Sequence, residues 1–294
     1  MIVLRVWLRL VVAPSRVALA VAALASRSSF LSGRRPDRTK VWNFLRSFRD
    51  NPDGVHVHTL PQYLKGHGYT TLGAGKIYHP GHPKDNDEPL SWSQDRPYCK
   101  QDTQHCAKGT MFCPVNVTEP GGPGDREFND YNMTRCAISN LEYASKKGGP
   151  FAIFLGLHFP HLSHRVPIWA VRKYLPEAPL QPNASGVIRP ATNRFAPKGM
   201  PDIAFTQEID GMVNVSIPVD GTLHTYEVPS PINDTFPEWF DSTFRLGYRS
   251  AITLTDYHVG LMLAALEKSG HANNTVVISE SMLLEGRPAA PCLP

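Results

Sequence analysis

The stretch from Gly68 to His79, Gly-Tyr-Thr-Thr-Leu-Gly-Ala-Gly-Lys-Ile-Tyr-His, constrains this chain more than any other. Leu60, Tyr63 and Leu64 approach it at helical spacing, and Gly68 supplies a stop. The residues that follow alternate like a short strand, and Gly75 lets the backbone run close to whatever Lys76 and His79 address. A fixed cation and an imidazole three residues apart at a strand end suit an anionic ester. Lysine balances oxyanion charge, and histidine passes a proton to or from an oxygen. On spacing alone, the same two side chains also fit a solvated turn.

A second buried strand is predicted over Phe151–Leu157, a continuous apolar run of the kind parallel strands covered on both faces display. It ends in Gly156-Leu157-His158-Phe159-Pro160-His161, and active sites of parallel sheets gather at such carboxyl ends. His158 is therefore a candidate acid, base or oxygen ligand, with a loop histidine bonded to backbone as the structural alternative. Helices are predicted over 130–147, with Ile138, Leu141 and Ala144 inward, and over 248–269, with Ile252, Val259, Met262 and Leu266 inward. Weak helical spacing runs from Val41 to Phe48, and Thr275–Ile278 reads as a last buried strand. Residues 80–129 read as a long loop tied by disulfides, and 176–240 as irregular with strand-like pieces such as Val213–Ile217. Alternating helices and strands give an α/β layered fold.

At 294 residues, 41% hydrophobic and 19% charged, the chain is globular in composition. Its net charge of +4 admits an acidic ligand, while no block of like charge marks a nucleic-acid footprint. Asn-x-Ser/Thr sequons begin at Asn116, Asn132, Asn183, Asn214, Asn233 and Asn273, which argues for the secretory pathway. Cys99, Cys106, Cys113 and Cys136 cluster in a loop-rich region, as disulfides of an oxidising compartment do, and Cys292 stands apart. The apolar run Val17–Ala25 follows Arg5, Arg9 and Arg16 and reads as a signal peptide. It is shorter than the ~20 residues that cross a bilayer, so no transmembrane segment is expected.

The Gly68–His79 segment resembles the sulfatase signature G-Y-x-T-x-x-x-G-K-x-x-H at every fixed position. With Thr59–Leu64, His79-Pro80-Gly81 and the Gly156–His161 run, it is similar to sulfatases of the iduronate-2-sulfatase type. Tyr248 and Asp256–Gly260 look like a packing helix of the same family, in which Asp256 takes no catalytic part. The resemblance implies an alkaline-phosphatase-like α/β sandwich with a central, mostly parallel sheet, incomplete at both ends. Residues 26–280 would form the partial domain, 1–25 a signal-like or misjoined apolar segment, and 281–294 an unrelated tail. It implies hydrolysis of 2-O-sulfate on iduronate in heparan or dermatan sulfate, in a lysosomal or extracellular setting. Lys76 and His79 would bind sulfate and help protonate the leaving group, and His158 would contact sulfate from the opposite wall. Arg16, or Arg27, would steady the nucleophile. Arg34 and His161 are candidate substrate contacts, with His161 also open to a structural reading. Phe159 stands where a lysine is usual. Cys99–Cys113 is the disulfide the resemblance favours, leaving Cys106 and Cys136 to pair.

Two family requirements are not met by the residues. The formylglycine made from Cys (or Ser) in C-x-P-S-R has no precursor. Val12 takes the place if Ala13-Pro14-Ser15-Arg16 is the motif, and Ala23 if Ser26-Arg27 is. The calcium expected of the family needs hard carboxylate ligands, and the chain reads Ser279-Glu280-Ser281 where Asp-His is usual. The expectation is a sulfatase-type chain that is inactive as written, with a non-catalytic binder of sulfated glycosaminoglycan as the alternative. A phosphodiesterase of the same superfamily would need a Ser or Thr nucleophile and several Asp and His ligands that are not found. The oligomeric state is left open.

Overall fold

The structure is a computed structural model that describes residues 23–50, 57–102, 104–107, 109–175, 195, 198–199, 214–219, 222–227 and 238–280. The expectations for the signal-like segment before residue 23 and for the tail after 280 lie outside the described residues. In chain order the elements are α1 (Ala23–Ser32), α2 (Pro36–Thr39), α3 (Leu60–Gly66), β1 (Thr70–Gly75), β2 (Phe112–Val115) and α4 (Asn129–Lys147). Then come β3 (Phe151–Gly156), β4 (His164–Pro167), α5 (Ile168–Val171), β5 (Asn214–Val219), β6 (Thr222–Glu227) and α6 (Glu238–Lys268).

Thr59 caps α3 by accepting from the Gln62 N–H, and Gly68 turns the chain out of the helix at φ +84. β1 then pairs in parallel with β3, from Thr70 opposite Phe151 to Gly75 opposite Gly156. β2 and β4 form a second parallel pair, and β5 and β6 an antiparallel one. Helix α4 lies against β1, β3 and α6, as a crossover helix between parallel strands must. Two apolar clusters result. One gathers Met111, Phe112, Phe128, Phe159, Trp169 and Phe240 around the β2–β4 pair. The other places Leu24 and Leu31 of α1 against Phe48, Tyr78, Trp92 and Tyr98, beside the end of β1. Each of those two leucines contributes roughly 1.5–3 kcal/mol on burial, which is what anchors so polar a helix.

Several expectations are corrected. Residues 41–48 are not helical. The Asn43 side chain accepts the Leu45 N–H, a local bond that competes with a helical turn, so only Val41 and Phe48 of this segment's large apolar residues are buried. β3 is half-buried rather than covered on both faces, because β1 is its one strand partner among the described residues. Thr275–Ile278 forms no strand. Val276, Val277 and Ile278 are 85%, 58% and 69% exposed, with no described strand edge to receive their backbone groups. On α6 the inward face carries Leu246, Ala251, Leu254 and His258, while Ile252 and Val259 face out. The disulfides are Cys99–Cys136 and Cys106–Cys113. Cys99 lies alongside β1, donating to the Gly73 carbonyl and accepting from Gly75 N–H, which turns it toward Cys136 on α4. Spacing alone allows three pairings of four cysteines, so this choice needed the fold.

The register of β1 on β3 rests on a glycine. A Cβ on Gly156 would stand 2.3 Å from the Lys76 carbonyl carbon and 2.4 Å from its oxygen. Gly156→Ala is expected to cost about 1–3 kcal/mol of unfolding free energy, measured by urea denaturation against the parent chain.

Candidate active site

The two parallel strands stop at the same level, and the chain leaving β1 bends back over the end of β3. Gly75 makes the bend at φ +80, where a Cβ would sit 2.1 Å from the Gly156 carbonyl oxygen. That same oxygen accepts the Lys76 N–H at 2.7 Å. The Tyr98 hydroxyl donates to the Gly75 carbonyl at 2.6 Å, fixing the bend from the other side. Lys76 is thereby held 9% exposed at the strand ends. Behind it, Tyr78 bonds Ser91, which donates to the buried Asp87 carboxylate. Arg49 clamps Asp87 with two bonds of 2.8 Å and also reaches the Val57 carbonyl. A bidentate pair that is this enclosed and this fully bonded holds its loop firmly.

From β3 the second wall follows. Asp130, in the first turn of α4, accepts the His158 N–H at 2.8 and 3.0 Å and the Phe159 N–H at 3.0 Å. A carboxylate here suits both the helix terminus and the two backbone donors. Burial still pushes it up to about 6, against those bonds and the Lys76 charge. The Gln101 amide donates to His158 Nδ1 at 2.8 Å, which leaves the ring proton on Nε2. Nε2 is buried, with no hydrogen bond of ordinary geometry among the described residues. Burial first, and the Lys76 ammonium second, lower His158 to about 3. His79 is lowered to about 4 by the same two causes in the same order, with Arg27 adding to them. Its Nδ1–H donates to the Pro80 carbonyl at 3.2 Å, so Nε2 carries the lone pair.

Arg27 enters from α1. Leu24, Arg27 and Leu31 recur at helical spacing, so the guanidinium shares the helix's buried side. Burial lowers it to about 10, and its Nη1 is enclosed without a described hydrogen-bond partner.

One ammonium, Lys76, acts electrostatically on both imidazoles, His79 and His158. The ring of His161 lies 4.9 Å from that of His158, and its Nδ1 donates to the Leu162 carbonyl. Arg34 is exposed just past α1, and no described contact joins it to this group. Arg16 lies outside the described residues. Asp130 and Gln101 escaped the sequence reading, although an acidic residue opening a helix next to a long loop is a visible signal. Phe159 is in the apolar core, with its backbone on Asp130, so it contributes no cation. Among the described residues no three His, Cys, Asp or Glu side chains converge on a metal position. Asp130, the carboxylate at the site, is committed to backbone donors. The described residues do not fit a calcium ion, and their four cysteines are all in disulfides.

Residues 20–281 match the family model named Sulfatase. The chain belongs to the sulfatase family. It is 30% identical to human iduronate 2-sulfatase over 276 residues, 86% of this chain, and 31% identical to the mouse protein over 273 residues, also 86%. Arylsulfatase K of Danio rerio is 24% identical over 87% of the chain. The chain spans 44% of the length of each of these sulfatases. A candidate sulfatase from Bacteroides fragilis of known structure aligns at 17% identity, with a TM-score of 0.44, over 87% of this chain and 50% of its own. The family's fold class is α/β of the alkaline-phosphatase-like kind, and the described parallel pairs belong to it. Of the two sulfatase-motif registers, the one without a gap sets Arg27 in the arginine place, and its charge is among those that lower His79.

Four buried or half-buried histidines, His79, His158, His164 and His258, have folded values lowered from 6.5 to between about 3 and 4. A lowered value means the unfolded chain takes up the protons more readily. Stability is therefore complete above pH 6.5 and is lost as pH falls from there toward 4. Asp130, raised to about 6, opposes this as one group against four. The urea midpoint is expected to be lower at pH 5 than at pH 7.5.

Proposed function

We propose that Lys76, His79 and His158, with Arg27, form the sulfate-binding half of an iduronate-2-sulfatase-type site. The substrate class is 2-O-sulfated iduronate in heparan or dermatan sulfate. The observation that supports this reading most is the buried Lys76, whose charge acts on both His79 and His158, two imidazoles kept neutral by burial first and by that charge second. An arriving sulfate ester brings negative charge, which offsets the part of the lowering at His79 that comes from Lys76. His79 Nε2 then gains proton affinity where the leaving oxygen needs a donor. His158 offers its Nε2–H to a non-bridging oxygen, and Lys76 balances the charge that develops there. Arg34 and His161 are proposed as outer contacts to the sugar. Arg16 is the alternative to Arg27 for the residue that would steady a nucleophile.

Cleavage needs a nucleophile, and in both sulfatase-motif registers an alkyl side chain, Val12 or Ala23, takes its place. The reading is therefore that this polypeptide holds a sulfated glycan without turning it over. A secretory setting, lysosomal or extracellular, agrees with two disulfides and with exposed sequon asparagines at 116, 132 and 273. Among the described residues no helix is long and apolar enough to cross a membrane.

Two measurements test this. The purified chain should bind heparin oligosaccharide in a salt-sensitive way, and Lys76→Ala should weaken it about tenfold or more, the worth of a charge-assisted bond. With a fluorogenic iduronide 2-sulfate and calcium, release should not exceed that of Lys76→Ala. Turnover above that control removes the non-catalytic reading, and absence of binding at low salt removes the site.

A further inference from the structure

Beside His79 the chain displays apolar side chains that the core has no use for. Trp42 is 57% exposed, Phe44 50% and Leu45 79%, all in one loop between the buried anchors Val41 and Phe48. The Phe44 ring lies 4.9 Å from the His79 ring, centroid to centroid, at a tilt of 41°. Lys40 holds its ammonium over the Trp42 ring at 5.7 Å. The loop is fixed rather than loose, since Asn43 accepts the Leu45 N–H at 3.1 Å and Ser47 Oγ accepts the Arg49 N–H at 3.0 Å. Exposed aromatic rings beside a candidate site histidine are a binding surface more often than an accident.

We propose that Phe44 and Trp42 form a stacking platform for the pyranose ring that carries the sulfate ester, so that this loop sets what the sulfate may be attached to. The inference rests on the sulfate-binding reading of Lys76 and His79 and adds the subsite next to it. A sugar ring has an apolar C–H face and a polar hydroxyl rim. Phe44 meets that face while the ester group of the same ring points on to His79. The charge around the platform selects between a sugar polymer and a lone aryl sulfate. Arg34, Arg38, Lys40 and Arg46 are exposed along the same segment, and its one acidic residue, Asp37, is paired with Arg35. A ligand with several anionic groups spread along a chain uses those cations. A small aryl monosulfate uses none of them.

The test measures affinities of the full chain for three probes: inorganic sulfate, a heparin-derived disaccharide bearing 2-O-sulfate, and 4-nitrocatechol sulfate. Phe44→Ala is expected to weaken the disaccharide roughly 2- to 10-fold, the range for one aromatic contact, while leaving inorganic sulfate within twofold. Trp42→Ala, at a mostly exposed position, is expected to do the same and guards against a folding defect in the first variant. If sulfate binds and both variants leave the disaccharide unchanged, the platform is overturned while the sulfate site stands. If only the aryl sulfate weakens, the platform is an aryl site and the sugar assignment is overturned. If the parent chain binds none of the three, the sulfate site itself fails and the platform goes with it.

Discussion

The close contact between Gly75 and Gly156 is the constraint from which the rest of the site follows. Two parallel strands with ordinary side chains at their ends would splay before the following loops could meet. Here the missing Cβ atoms let the chain leaving β1 fold over the end of β3, with the Lys76 N–H on the Gly156 carbonyl at 2.7 Å. That bond places the ammonium-bearing residue at the strand ends, and the strand-end histidine follows two residues after Gly156. The surroundings then stiffen the arrangement from both sides. Tyr98 and Cys99 hold the Gly75 bend, Asp130 holds the backbone of His158, and the Arg49–Asp87 pair supports Tyr78 from behind.

Electrostatically the site separates roles among groups that look alike on paper. Lys76 and Arg27 supply positive charge, and the imidazoles beside them stay neutral because burial and that charge both disfavour protonation. Asp130 is a carboxylate that feels the Lys76 charge. Its oxygens are spent on backbone donors, and its own ionisation is held back by burial. On the proposed reading, hydrogen-bond geometry and charge come from different residues of the site.

How much of this was legible in the sequence depended on whether the information was local. The helix–glycine–strand–glycine order of residues 60–76 was readable because each step has its own backbone signature; His79 was found beyond an alternating stretch and His158 at the end of an apolar run. The helix over 129–147 was found within a residue at its start. What failed was what depends on partners distant in sequence. The apolar run at 151–156 and the similar one at 275–278 read alike, yet one pairs with β1 and the other has no described neighbour. Cysteine spacing could not reveal that Cys99 runs beside β1 and faces α4. Nor could the stripe Ile252–Val259 show which side of α6 would be covered, since the inward face includes His258, whose polarity argued for the opposite placement. Arg27 was weighed only as one of two registers, and its burial beside Leu24 and Leu31 is what separates it from the many surface arginines of the chain.

The position of Lys76 beside two imidazoles that resist protonation has a bearing on where such a site can work. A receptor whose histidines titrated near neutrality would grip anions more tightly in an acidic vesicle than outside it, and would shed its cargo on return to the surface. The two imidazoles here stay neutral from blood-like fluid to the interior of a mildly acidic organelle, while Asp130, at about 6, takes up a proton over the same range. On the proposed reading, its hold on a sulfated polymer would follow competing salt, the sugar presented to it and the protonation of Asp130.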